Sequence, residues 1–135
     1  MKKIFFLTAL TALIFTTSCS SEYSVEVAYS VGKSTWNGSL GDMAKVEIYI
    51  ATLGVPTSYV TFTGTGNSES RAIENADAQA IAAANGWVAR FNRDDIAALG
   101  LSPYTYFVWE VSRYADSRDP NGEVITIAKF EWNMD

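Results

Sequence analysis

Histidine is missing altogether from these 135 residues, and cysteine occurs once, at Cys19. Without imidazole the chain lacks the usual general base near neutral pH and the commonest zinc ligand, and a single thiol can close no disulfide of its own. Serine triads, cysteine proteases and the common zinc sets are therefore excluded, and nothing in the chain implies a cofactor. Basic residues are sparse, ten Lys and Arg against fifteen Asp and Glu, for a net charge of −5. With no basic cluster the chain cannot neutralise phosphates, which disfavours nucleic acid as a partner and adhesion to anionic head groups. Long apolar runs are also absent. The longest, Ile4 to Phe15, is broken by two threonines and falls short of the roughly twenty residues a membrane-crossing helix needs. What is plentiful is apolar and aromatic material, 48% and 13% of the residues, and that much apolar surface collapses into a core.

The start of the chain has the layout of an export leader. Lys2 and Lys3 give a basic head, Ile4 to Phe15 an apolar stretch, and Thr16-Thr17-Ser18 a run of small residues before Cys19. Cleavage near Thr17 or Ser18 by an ordinary signal peptidase and cleavage between Ser18 and Cys19 both suit these residues. The segment resembles bacterial lipoprotein signal peptides, although Thr16 stands where that family usually has Leu. The resemblance implies that Cys19 becomes the first residue of the mature chain and carries a diacylglyceryl thioether and an N-acyl chain, palmitate among them. A lone thiol in an oxidising compartment then has a use, and several acyl chains hold where one does not. Location follows: an exported protein anchored by lipid in a bacterial cell envelope, with the outer membrane the expected site.

Beyond the leader the expected organisation is a short tether, residues 19–22, and one domain, 23–135. The 117 residues left after residue 18 suffice for one core. Both leader lysines are lost with the leader, so eight basic residues face fifteen acidic ones, a net charge of −7. Tyr23 to Val31 alternates with period two and predicts a strand. A glycine-bearing loop is expected over Gly32–Asp42, a second strand around Val46, Ile48 and Ile50, and a third around Val60 and Phe62, ended by Gly64-Thr65-Gly66. The period then changes to that of a helix, with Ala72, Ile73, Ala76, Ala80, Ala83 and Ala84 on one face, capped by Asn67 or Ser68 and closed at Asn85-Gly86. A short strand over Trp87–Phe91, a brief helix after Asn92, and a hairpin pairing Tyr104–Tyr114 with Gly122–Trp132 complete the prediction. The fold class is α+β: an antiparallel sheet of about five strands with one main alanine-faced helix on one face, in the order β-β-β-α-(β/α)-β-β. The stretch Val60–Trp132 is similar to the β-α-β-β arrangement of dodecin-like folds. It carries no diagnostic motif, so the similarity implies no ligand and no site residue.

Several motifs invite chemistry. Gly32-Lys33-Ser34-Thr35 has the end of a phosphate loop but Val27 where its first glycine belongs, and Ser30-x-x-Lys33 lacks the companion motifs of serine–lysine acyl enzymes. Gly64-x-Gly66 before a helix has Glu69 where a dinucleotide turn needs a small residue. Asp94 and Asp95 suit the first turn of a helix. Asp116, Asp119, Asn121 and Glu123 have oxygen ligands at calcium-like spacing, interrupted by Arg118 and Pro120. Glu110, among Phe107, Val108, Trp109 and Val111, is a site candidate if buried. Trp36 is the best candidate for stacking on a ligand, with Trp87, Trp109 and Trp132 assigned to the core. The function these features support is a non-catalytic envelope lipoprotein presenting a small domain to an envelope protein or a glycan. The alternative is a carbohydrate-binding module using Trp36 and strand-face tyrosines, and a remote third is a glycan hydrolase working with carboxylates alone. Geometry separates them: two or more coplanar exposed aromatics on a concave surface favour sugar, two carboxylates facing across a cleft favour hydrolysis, and a flat apolar patch or an open sheet edge favours a protein.

Overall fold

A computed structural model describes residues 22–134; the leader and Cys19 lie outside the described residues. The elements run β1 (Tyr23–Asn37), α1 (Leu40–Thr52), β2 (Tyr59–Gly66), α2 (Glu69–Val88), α3 (Arg93–Ala97), β3 (Tyr106–Tyr114) and β4 (Val124–Trp132). The strands form one antiparallel sheet in the order β2-β1-β3-β4. The class is α+β, but the order is β-α-β-α-α-β-β with four strands, not five. All three helices contribute to a core on one face of the sheet.

The strand expected around Val46–Ile50 is the helix α1. Val46 and Ile50 alternate with polar neighbours, yet they also stand four apart, and with Asp42 they make the buried stripe of a helix while Ile48 is 68% exposed. Ser39 decides between the two periods. Its hydroxyl accepts the Asp42 backbone N–H at 3.1 Å and starts the helix inside what reads as a loop. Residues 32–37 are likewise not loop. β1 is a long strand that pairs with β2 through Ser30 and with β3 from Ser30 onward.

Helix α2 packs Ala72, Ala76, Ala80 and Ala84 against the sheet, all fully buried. The small stripe lets it come very close: a Cβ on Gly64 would lie 1.9 Å from the Ala72 carbonyl oxygen, and one on Gly66 2.7 Å from the Arg71 Cβ. The strand runs through both glycines, and Gly66 is its last residue. They make room for the helix, while the side chains of Asn75 and Gln79 bond the outer edge of β2 at the Thr65 N–H and the Thr63 carbonyl. Ser68 is the N-cap. The helix does not stop at Asn85-Gly86; both are exposed and helical, and the helix runs on to Val88, carrying Trp87 and Val88 to the core rim in place of the short strand expected over Trp87–Phe91. The left-handed glycines are Gly54 and Gly100. Volume comes from the strands: Tyr29, Phe107 and Trp109 are fully buried, and Phe91 stacks on Phe130 at 4.6 Å between ring centres.

Candidate functional site

The helices leave the second face of the sheet uncovered among the described residues, and the outward positions of the four strands meet there. One row crosses the sheet in register: Tyr59 on β2 opposite Ser30 on β1, Ser30 opposite Ser112 on β3, and Ser112 opposite Thr126 on β4. Around it lies a shallow groove of about 280 Å³, floored by the small side chains of Ala28, Ser30 and Ser112 and walled by Tyr59, Tyr114 and Val124. The walls are exposed, Tyr59 at 68% and Tyr114 at 42%. Ser30 and Ser112 also floor a second hollow of about 280 Å³, a polar one reaching Ser34, Ser58 and Glu110. The two are therefore one groove with an apolar and a polar end.

Two bulges shape the polar end. In β1 the pairing skips between Lys33 and Thr35, so Ser34 is the extra residue, and its hydroxyl donates to Glu110 Oε1 at 2.9 Å. In β4 the register shifts so that Thr126 rather than Ile127 faces Ser112, and the Thr126 hydroxyl donates to Glu110 Oε2 at 3.3 Å. Glu110 thus stands half-exposed on the open face with a hydroxyl on each oxygen. Its cross-strand neighbour Lys129 has its ammonium 3.6 Å from Glu131.

The core face holds a different polar cluster, which the sequence does not advertise. Asp77 on α2 accepts the Tyr29 hydroxyl at 2.7 Å and a two-pronged contact from Arg113, Nε to Oδ1 at 2.8 Å and Nη2 to Oδ2 at 2.7 Å. Burial pushes the Asp77 carboxyl up, but the Arg113 guanidinium and the Tyr29 hydroxyl outweigh it and hold the group below its ordinary value. The bond to Asp77 raises Arg113, and burial together with the carboxylate raises Tyr29. A similar clamp fixes α1. Asp42 accepts the Ser102 N–H at 3.0 Å and the Thr105 hydroxyl at 2.9 Å, and those bonds lower its pKa. Both acids join a helix to another part of the fold.

A further cavity of about 470 Å³ opens on the core side between β1, α1 and the segment before β2, with Trp109 and Ile50 in its wall and the Lys33–Glu47 ion pair, 3.1 Å, beside it. The indole N–H groups of Trp109 and Trp132 are buried and have no hydrogen-bond partner among the described residues.

The residues singled out in the sequence fall in several places. Trp36 is in β1, half-buried, stacked on Phe107 with ring centres 6.1 Å apart, its indole N–H on the Gly38 carbonyl at 3.2 Å. It is not in an exposed loop and does not line the groove. Gly32 to Thr35 is strand and bulge, and Gly32 keeps φ at +145° where the Thr57 carbonyl oxygen would meet a Cβ at 3.3 Å. Asn92 caps α3 by accepting the Asp95 N–H at 3.0 Å. At the β3–β4 turn, Asp116 accepts the Arg118 N–H and Asp119 the Asn121 N–H, spending their oxygens on the turn; the Arg118 backbone and side chain lower Asp116. Among the described residues no group of three or more acids and thiols could hold a metal ion, and no helix is long and apolar enough to cross a membrane. Sequence reasoning raised strand-face tyrosines as a class without naming Tyr59 or Tyr114, and it missed Ser112 and Thr126; the one signal these four left was their outward place in the alternation. Comparison with protein-family models, with curated proteins and with solved structures finds no match to this chain.

Proposed function

We propose that this protein is a non-catalytic, lipid-anchored component of a bacterial cell envelope that presents the open face of its sheet to an envelope protein or a glycan. The observation that carries the binding role is the groove itself. It crosses a sheet face that the described residues leave bare, and it is walled by side chains the core does not use. The anchor rests on the leader pattern and on Cys19, four residues before β1 begins at Tyr23. From Tyr23 to Ser30 an extended strand covers roughly 23 Å at about 3.3 Å per residue, which sets the groove that far along the sheet from the start of β1.

The experiment has two arms. Palmitate labelling of the full chain, with Cys19→Ala as control, tests the anchor: label that persists in the variant sinks it. Affinity purification from detergent-solubilised envelope, comparing the wild-type chain with Tyr59→Ala, tests the presentation. A partner retained equally by both would place the binding surface elsewhere.

A further inference from the structure

Resting on that reading of the open face, we infer that the groove between Tyr59 and Tyr114 is a saccharide site, and that the sugar it takes is uncharged or amino-bearing, not a uronate or a sulfated unit. The mode of recognition follows from where the groove lies. It crosses the strands at Ser30 and Ser112, where β1 passes from pairing with β2 to pairing with β3 and β3 lies between β1 and β4. At those two positions no strand edge is open to an added peptide strand. The outer edges that could accept one are partly closed, β2 by Asn75 and Gln79 and β4 by Arg93, which donates to the Glu131 carbonyl at 2.7 Å. Whatever binds must be read by side chains.

Those side chains offer two chemistries within one concavity. At one end, Tyr59 and Tyr114 stand on either side of a floor too small to fill the space, two strands apart across the sheet and offset by two residues along it, roughly 12 Å between backbones. Neither ring packs on another ring and neither phenol is hydrogen-bonded among the described residues. At the other end are hydroxyls and one carboxylate, Ser34, Ser58, Ser112, Thr126 and Glu110. A pyranose has the same division, an apolar C–H face and a rim of hydroxyls. Its face suits a tyrosine ring, an amphipathic surface that costs little entropy to fix. A sugar hydroxyl can take the place of Ser34 or Thr126 on Glu110 by exchanging one O–H···O bond for another, with little net cost.

Charge selects among sugars. The cations nearest the groove are engaged, Lys33 with Glu47 at 3.1 Å, Lys129 with Glu131 at 3.6 Å and Arg113 with Asp77 at 2.7 Å. Glu110 is in none of the ion pairs of the described residues. Counting Glu110 with the neighbouring pairs Lys33–Glu47 and Lys129–Glu131, the polar end carries one net negative charge, in a chain that is acidic overall. An anionic sugar meets repulsion there and an ammonium group meets a carboxylate held ready by two hydroxyls.

Titration of the full chain in detergent, followed by calorimetry, with a panel of neutral, amino and uronic-acid trisaccharides, cellotriose, glucosamine trimer and trigalacturonate among them, tests the inference. At least one neutral or amino member is expected to bind, with the uronates at least tenfold weaker. Tyr59→Ala and Tyr114→Ala should each weaken binding about fivefold or more, as loss of a contact aromatic does, with the melting temperature held. Glu110→Gln should erase the preference for amino over neutral sugar. Failure of every neutral and amino member at millimolar concentration, equal binding of the uronates, or unchanged affinity in both tyrosine variants overturns it. Failure here leaves palmitate labelling and partner capture untouched, so it is told apart from failure of the lipoprotein reading.

Discussion

Removing the Asp77 carboxylate tests whether the buried cluster holds α2 to the sheet. Asp77 and Arg113 retain only 20% and 14% of their side-chain exposure, and three bonds of 2.7–2.8 Å converge on one carboxylate. Asp77→Ala leaves a guanidinium and a phenol without their acceptor. Breaking a buried pair by removing one partner costs about 3–5 kcal/mol, and the residual exposure of both groups brings the expectation to about 3 kcal/mol. For a domain of this size that is a fall in Tm of roughly 10–15 °C. Replacing all three polar partners, as Tyr29→Phe, Asp77→Leu and Arg113→Met, removes the unmet demand together with the bonds and should recover most of the loss, to within about 1 kcal/mol of wild type. The pH dependence has a definite sign. The folded Asp77 pKa lies below the ordinary carboxylate value of about 3.9. Its contribution is therefore fully present above that value and is lost as pH falls through the lowered folded pKa. Wild type should lose stability in that acid window more steeply than Asp77→Asn. Urea melts across pH 2–7 measure both. A cost below about 1 kcal/mol for Asp77→Ala, or a triple variant as unstable as the single one, refutes the reasoning.

Two further substitutions test how α2 meets the sheet. Gly64→Ala places a methyl against the Ala72 backbone oxygen, which cannot swing aside as a side chain can, so a loss of about 2–3 kcal/mol is expected in thermal melts, where an unchanged Tm would deny the close approach. Ala80→Phe, at a fully buried position under the same helix, should cost about 1–3 kcal/mol by overpacking; a neutral result would mean that this face can yield.

The elements with an unambiguous period were legible in the chain. Tyr23–Val31, the β2 segment, the alanine stripe of α2 and the last hairpin stand where their patterns put them, because alternation and 3.6-residue spacing reflect one-sided burial. Segments carrying two periods were not. Val46, Ile48 and Ile50 fit a strand and a helix equally, and only the Ser39 cap and the burial of Val46 and Ile50 in the core that also holds Tyr29, Val31 and Trp109 select the helix. The Asn85-Gly86 pair is a stop signal that tertiary contact overrides, since the next turn brings Trp87 and Val88 onto the core.

The candidate site divides along the same line. Sequence by itself determined what this chain lacks, imidazole, a second thiol and an excess of basic residues, together with the leader pattern that ends at Cys19, since composition and a linear signal need no fold to be read. It also raised Glu110 and the strand tyrosines, though not their neighbours. Which aromatics are spent in the core and which are left outside was decided by the tertiary structure. Trp36 was the most exposed-looking of them, and it folds onto Phe107; Tyr59 and Tyr114 end on opposite walls of one groove. Their partnership depends on a sheet order that places β1 between β2 and β3, and the hydroxyls on Glu110 depend on two bulges that turn Ser34 and Thr126 to its two oxygens. Strand order and bulge position are set by long-range pairing, and a local pattern along one chain carries no information about either.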